Sequence, residues 1–274
     1  MEFPGVWVNE SRTLIYRVVP KAACSTIGQI MFHADHGRFF EGDIHDAKDG
    51  LWKWNGNTDT QHARDVIVDT VRAGQAFAFT AVRNPYTRLL SAFFDKICGI
   101  QRNGNKYRGD MVPMIEARYG MDIGGGTERA FDQVAAFRKF LLFVRDTIKF
   151  HQPMHADIHW SDQAGHASTL VRNGGRFQHV FAIEAFLEGM APVVAARPLA
   201  DAPDLASLPR FNESEGHGPK RAHPVADFYD DLAISIMTDI YARDFEIFGY
   251  DRAPGEAGPG RALDPLEVNA MLAR

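Results

Sequence analysis

Residues 16–30 read YRVVPKAACSTIGQI, and the order of residue types within them sets the architecture. Leu14, Ile15, Val18 and Val19 form an apolar, β-branched run that stops at Pro20. A turn of small residues follows from Lys21 to Thr26, and helical spacing then begins through Ile27, Ile30 and Met31. Strand, turn and helix in that order leave backbone N–H groups at a helix N-terminus, where they and the helix dipole hold a phosphate. Ala22, Ala23, Ser25 and Thr26 let a phosphate approach the backbone closely, and the two hydroxyls add donors. The Gly-x-x-x-x-Gly-Lys-Ser/Thr loop of ATP and GTP enzymes is absent, because here the lysine opens the turn instead of closing it.

A second stretch, RNPYTRLLSAFF over residues 83–94, begins where the apolar run Ala76–Val82 ends. A run of that kind predicts a strand covered on both faces. Asn84 suits a helix N-cap and Pro85 the first helical position. Leu89, Leu90, Phe93, Phe94 and Ile97 make an apolar stripe, with Arg88, Ser91 and Asp95 on another face. Arg83 is thereby placed at the carboxyl end of a central strand, where open α/β sheets bind ligands. An arginine there and a serine on the next helix, Ser91, can grip a second phosphate.

Outward from these stretches, Trp7 and Val8 pair as a short strand with Thr13–Val19 across a turn at residues 9–12. Residues 35–61 are polar and aperiodic, and read as a surface excursion. His62 opens a helix closed by Gly74, and another helix runs from Val134 to Ile148. Residues 99–130, with Arg102, Lys106, Arg108 and a Gly124–Gly126 triplet, suggest a mobile loop over the site. Phe177–Ile183 is a strand followed by a helix over residues 185–195. Residues 198–224 read as loop, and Val225–Tyr241 as one long amphipathic helix. Residues 251–260 are a Gly/Pro-rich linker to a short helix at Asp264-Pro265. The fold expected is one α/β domain over residues 1–250, with 251–274 as linker and terminal helix. It is a P-loop-like three-layer arrangement, a central and mostly parallel sheet flanked by helices, with two irregular insertions forming an acceptor cleft.

Composition narrows the function. The chain has 274 residues, 45% hydrophobic and 24% charged, enough for a substantial core. A net charge of −5 argues against a general nucleic-acid surface. No apolar run approaches the roughly 18 residues of a membrane span, and the N-terminal residues carry no signal-peptide pattern, so the expected location is cytoplasmic. Cys24 and Cys98 are the only two cysteines, and their spacing is not that of a zinc site.

Together the two phosphate stretches resemble the sulfotransferases that use 3′-phosphoadenosine 5′-phosphosulfate (PAPS). The resemblance is closer to the carbohydrate branch (sulfotransferase family 2, chondroitin and HNK-1 type). Pro20-Lys21 with Ser25-Thr26 is similar to that family's 5′-phosphosulfate loop. Arg83, Pro85, Arg88-Leu89 and Ser91 are similar to its 3′-phosphate segment. Ile158-His159-Trp160, residues 180–184 ending in Glu184, residues 212–214 and residues 241–250 resemble later motifs in the same order. Without the membrane anchor and extra cysteines of the Golgi enzymes, the chain looks like a soluble bacterial member. The resemblance implies transfer of a sulfuryl group from PAPS, without a metal, to an acceptor hydroxyl on a carbohydrate or glycoconjugate.

In that reading Lys21 stabilises charge on the leaving phosphate oxygen. The cofactor is held by Lys21, Ala22, Ala23, Cys24, Ser25, Thr26, Arg83 and Ser91. A general base is also required. Among eleven histidines, His62 comes first by its interval before Arg83, His159 second through the His-Trp resemblance and His45 third. Glu184 is a fourth candidate. Lys220 and Arg221 are candidates to close over the 3′-phosphate. Two other functions fit parts of the pattern. A P-loop small-molecule kinase would place its lysine before a magnesium-binding Ser/Thr. A non-catalytic nucleotide-binding module would keep the fold without turnover.

Overall fold

The computed structural model describes residues 2–54, 60–99, 111–123, 131–150, 156–196, 203–208 and 220–274. The basic and glycine-rich residues of the expected loop, Arg102, Lys106, Arg108 and Gly124–Gly126, lie outside them, as do residues 212–214.

Five strands form one sheet: β1 (Val6–Asn9), β2 (Leu14–Arg17), β3 (Leu51–Lys53), β4 (Phe77–Val82) and β5 (His179–Ala182), in the order β3-β1-β2-β4-β5. β2, β4 and β5 run parallel, as the two apolar runs and their intervening helices require. β1 pairs antiparallel with both β2 and β3, so the sheet is mixed at that edge. The β1–β2 turn forms because Asn9 accepts from the backbone N–H groups of Thr13 and Leu14, at 2.9 and 2.7 Å.

Alternation along the strands sorts their side chains into two cores. Trp7, Tyr16, Phe79 and Phe181 face α1 (Cys24–His36) and α7 (Phe186–Ala196). Val6, Val8, Ile15, Ala78 and Val180 share the other core with α2 (Gln61–Ala73), α3 (Pro85–Ala92), α4 (Val112–Tyr119), α5 (Gln133–Lys149) and α6 (Gln163–Arg172). Three layers result, as expected for this fold class. Gly28 permits the first contact: a Cβ there would lie 2.6 Å from the Trp7 ring, so α1 sits directly on β1.

Residues 225–241 do not form one helix. A 3-10 turn at Val225–Phe228 ends at extended Tyr229, and α8 (Asp231–Ile240) starts afresh, with the Asp230 carboxylate accepting from Ala233 N–H. The apolar spacing is continuous, but Asp230 is a stronger cap than an interior residue. α9 (Ala242–Phe248) then departs after Tyr241. The terminal helix α10 (Pro265–Leu272) buries Val268 and Leu272, and Asn269 bonds the backbone of Phe177 in both directions.

Candidate active site

The turn after β2 carries two non-glycine residues in the left-handed region, Lys21 at φ 68° and Ala23 at φ 59°. Each costs on the order of 1 kcal/mol, and such strain concentrates at functional sites. Ala23 is the N-cap of α1 and supplies no side-chain oxygen, so no side chain caps the helix there. Ser25 Oγ lies 3.1 Å from His45 Nε2, and Cys24 Sγ lies 3.7 Å from the same nitrogen. Burial would raise the Cys24 thiol, but the His45 hydrogen bond and charge, with Lys21, more than offset it and the thiol falls below its usual value. Burial acts on His45 in the opposite sense to Cys24 and Asp43, and those two prevail, raising the imidazole.

Lys21 Nζ donates to Asp95 Oδ2 at 2.9 Å, and Lys96 Nζ reaches the same oxygen at 3.0 Å. Burial lowers the Lys21 ammonium below its ordinary value despite that partner. For Asp95 burial is outweighed by the two lysines, which bring its carboxyl down to about 2. Asp95 reaches Lys21 from a π-helical turn, Phe93–Ile97, that continues α3. Ser91 lies one helical turn before it, half-buried.

Arg83 joins the two stretches. Its Nη1 donates to the Lys21 carbonyl at 3.1 Å and its Nε to Thr87 Oγ1 at 3.0 Å. Burial lowers its guanidinium, with Arg88 and Arg221 adding to the effect against Glu184 and Tyr250. The Arg83 backbone is clamped by Gln163, whose amide accepts from its N–H at 2.8 Å and donates to its carbonyl at 2.7 Å. Gln163 is placed in turn by Asp244, which accepts from the N–H groups of Gln163 and Ala164 at the start of α6.

Arg88 is 2% exposed and spends its donors on backbone carbonyls: Pro20 at 2.9 Å, Ser161 at 2.8 Å and Ile158 at 3.3 Å. It therefore straps the lysine turn to residues 158–161, which carry His159. His159 Nδ1 lies 2.5 Å from Asp157 Oδ1. Burial lowers the imidazole's proton affinity against the pull of Asp157, and Lys96 and Lys21 lower it further. Lys21 and Lys96 are thus near enough for their charges to act on His159.

The remaining candidates separate. His62 is exposed on α2, its ring edge-on to Trp52 at 5.1 Å. Trp52 belongs to β3, which β1 separates from β2. Two strand spacings, about 10 Å, thus separate that anchor from the strand that leads to Lys21. His45 packs its ring on Trp7 and meets Ser25, on the phosphate turn rather than opposite it. Glu184 is engaged structurally: Oε1 accepts from Asn84 N–H at 2.7 Å and Oε2 from the Tyr250 hydroxyl at 3.0 Å. Arg221 pairs with Glu256 at 2.6 Å, within electrostatic reach of Arg83. The Lys220 carbonyl accepts from Gln133 Nε2.

The sequence model of the sulfotransferase family matches residues 4–251, spanning both phosphate stretches and the whole sheet. The chain belongs to that family. Mouse carbohydrate sulfotransferase 14 is 27% identical over 157 residues, 57% of this chain. The match spans 37% of the mouse protein's own length. No solved structure matches the chain.

In this chain, four residues that hold the site had no role of their own assigned from the sequence. Arg88, Asp95 and Gln163 act on groups far away in sequence, whereas Asp157 acts on His159, two residues on. Two gave a local sign: Arg88 through its place in the 3′-phosphate resemblance, and Asp157, two before His159, as an orienting partner for an imidazole. Among the described residues no helix is long and apolar enough to cross a membrane.

Proposed function

We propose that this sulfotransferase moves a sulfuryl group from PAPS to a carbohydrate hydroxyl. The observation that carries the reading is the hydrogen bond from Arg83 to the Lys21 carbonyl. It brings the two phosphate-binding stretches together at the carboxyl ends of adjacent parallel strands. The first turn of α1 with Ser25 and Thr26 takes the 5′-phosphosulfate. Arg83 and Ser91 take the 3′-phosphate, with Arg221 beside them.

The acceptor oxygen attacks sulfur in line as the sulfur–oxygen bond to the phosphate breaks. Lys21 neutralises the charge arriving on that phosphate oxygen. The acceptor's proton goes to Nε2 of His159, since Nδ1 faces Asp157. His159 is favoured over His62 because it shares the field of Lys21 and Lys96 and has an orienting carboxylate. The carbohydrate class of the acceptor rests on the likeness to the mouse protein. Magnesium has no role in this scheme, and the family match disfavours the kinase alternative.

Adenosine 3′,5′-bisphosphate should raise the melting temperature, whereas ATP with magnesium should raise it little. Arg83→Ala should weaken bisphosphate binding by about 1.5–3 kcal/mol, the worth of a charge-assisted contact. Stabilisation by magnesium-ATP with none by the bisphosphate would overturn the reading. Equal affinity of variant and parent would remove Arg83 from the site.

A further inference from the structure

Lys21, the cation required at the leaving oxygen, already has an anion. Asp95 Oδ2 is 2.9 Å from its ammonium, and Lys96 is 3.0 Å from the same oxygen on the other side. The side chains of Lys21, Lys96 and Asp95 are 18%, 20% and 23% exposed, so this cluster is only partly screened by water. Asp95 and Lys96 both lie on the π-helical turn at Phe93–Ile97, and the two lysines meet one Asp95 oxygen there. Such turns recur at functional sites.

We infer that Asp95 is a positioning residue that holds Lys21 in the donor-free protein and is displaced from it by the donor's phosphosulfate. Lys96 retains the Asp95 charge when the exchange occurs. The inference rests on the PAPS reading and adds to it a residue that acts through Lys21. Two consequences oppose each other in sign. Asp95 repels the incoming anion, so the donor binds less tightly than the bare cations would allow. Asp95 also favours the charged form of Lys21, so it keeps the ammonium protonated to higher pH. Among the described residues, the groups that bear on the titration of Lys21 are Asp95, Lys96 and Cys24, with His159 interacting with it as well. A residue needed only for folding would produce neither effect.

The test is the affinity for adenosine 3′,5′-bisphosphate between pH 6 and pH 10, measured calorimetrically on the full chain. The proteins compared are the parent, Asp95→Asn and Asp95→Glu. At pH 6.5 Asp95→Asn should bind about three- to tenfold more tightly, the order expected for one nearby charge at partial screening. Its loss of affinity at alkaline pH should begin at lower pH than the parent's, because its Lys21 loses the proton sooner. Asp95→Glu should restore the parental alkaline limb. Weaker or unchanged binding by Asp95→Asn, or an alkaline limb that stays in place, overturns the inference while leaving the PAPS reading intact. A parent that does not bind the bisphosphate at all overturns both.

Discussion

Lys21→Ala should lower the rate of sulfuryl transfer by about a thousandfold or more while weakening bisphosphate binding far less. The disparity follows from where the charge develops. On the proposed reading, the ammonium contacts the phosphate in the ground state as one donor among several. In the transition state it faces the oxygen that is acquiring a full negative charge. Removing one preorganised group aimed at such an oxygen costs roughly 10²–10³ in turnover, and the cation adds to that. The alkaline limb of kcat should reflect the same lysine, whose proton affinity burial lowers. Steady-state kinetics with a fixed acceptor, paired with calorimetry on the bisphosphate, separates the two quantities. A parental rate in Lys21→Ala would remove the lysine from the mechanism.

The second large effect should come from His159. His159→Ala is expected to cut transfer by about a hundredfold or more, the usual worth of a positioned base, and to leave bisphosphate affinity nearly unchanged. His62→Ala should stay near the parental rate, because its ring rests on Trp52 at the outer edge of the sheet. The pH profile has a definite sign. Burial, Lys96 and Lys21 disfavour the imidazolium more than Asp157 favours it. His159 therefore remains a competent base to lower pH than an ordinary histidine, and the acid limb of kcat/KM should lie below about 6.5. Loss of activity in His62→Ala with His159→Ala intact would move the base to His62.

What the sequence disclosed and what it withheld divide by distance along the chain. Lys21 and Arg83 were legible because each sits in a contiguous strand-turn-helix segment whose small residues, cap and proline are all local. Gly74 and Asn84 were legible for the same reason: both end or begin a helix as their residue types dictate. Asp230 was not, since its capping strength competes with an unbroken apolar stripe, and only the tertiary setting decides between them. Arg88 carried a sequence signal as part of the 3′-phosphate resemblance. Its guanidinium nevertheless turns inward to three carbonyls 68 to 73 residues away. Asp95 was assigned a helix face on regular α-helical spacing, which the π turn alters. His62 was favoured by an interval along the chain, and the edge strand β3 then placed it apart from Lys21.

On the proposed reading, this chain transfers sulfuryl groups from PAPS to a carbohydrate. Incubation of the parent protein and of Lys21→Ala with ³⁵S-labelled PAPS and separated glycan, lipid and small-molecule fractions tests it most directly. Label is expected covalently attached in the glycan fraction with the parent and little or none with Lys21→Ala. Label confined to unreacted PAPS in every fraction, or equal incorporation by parent and variant, would contradict it.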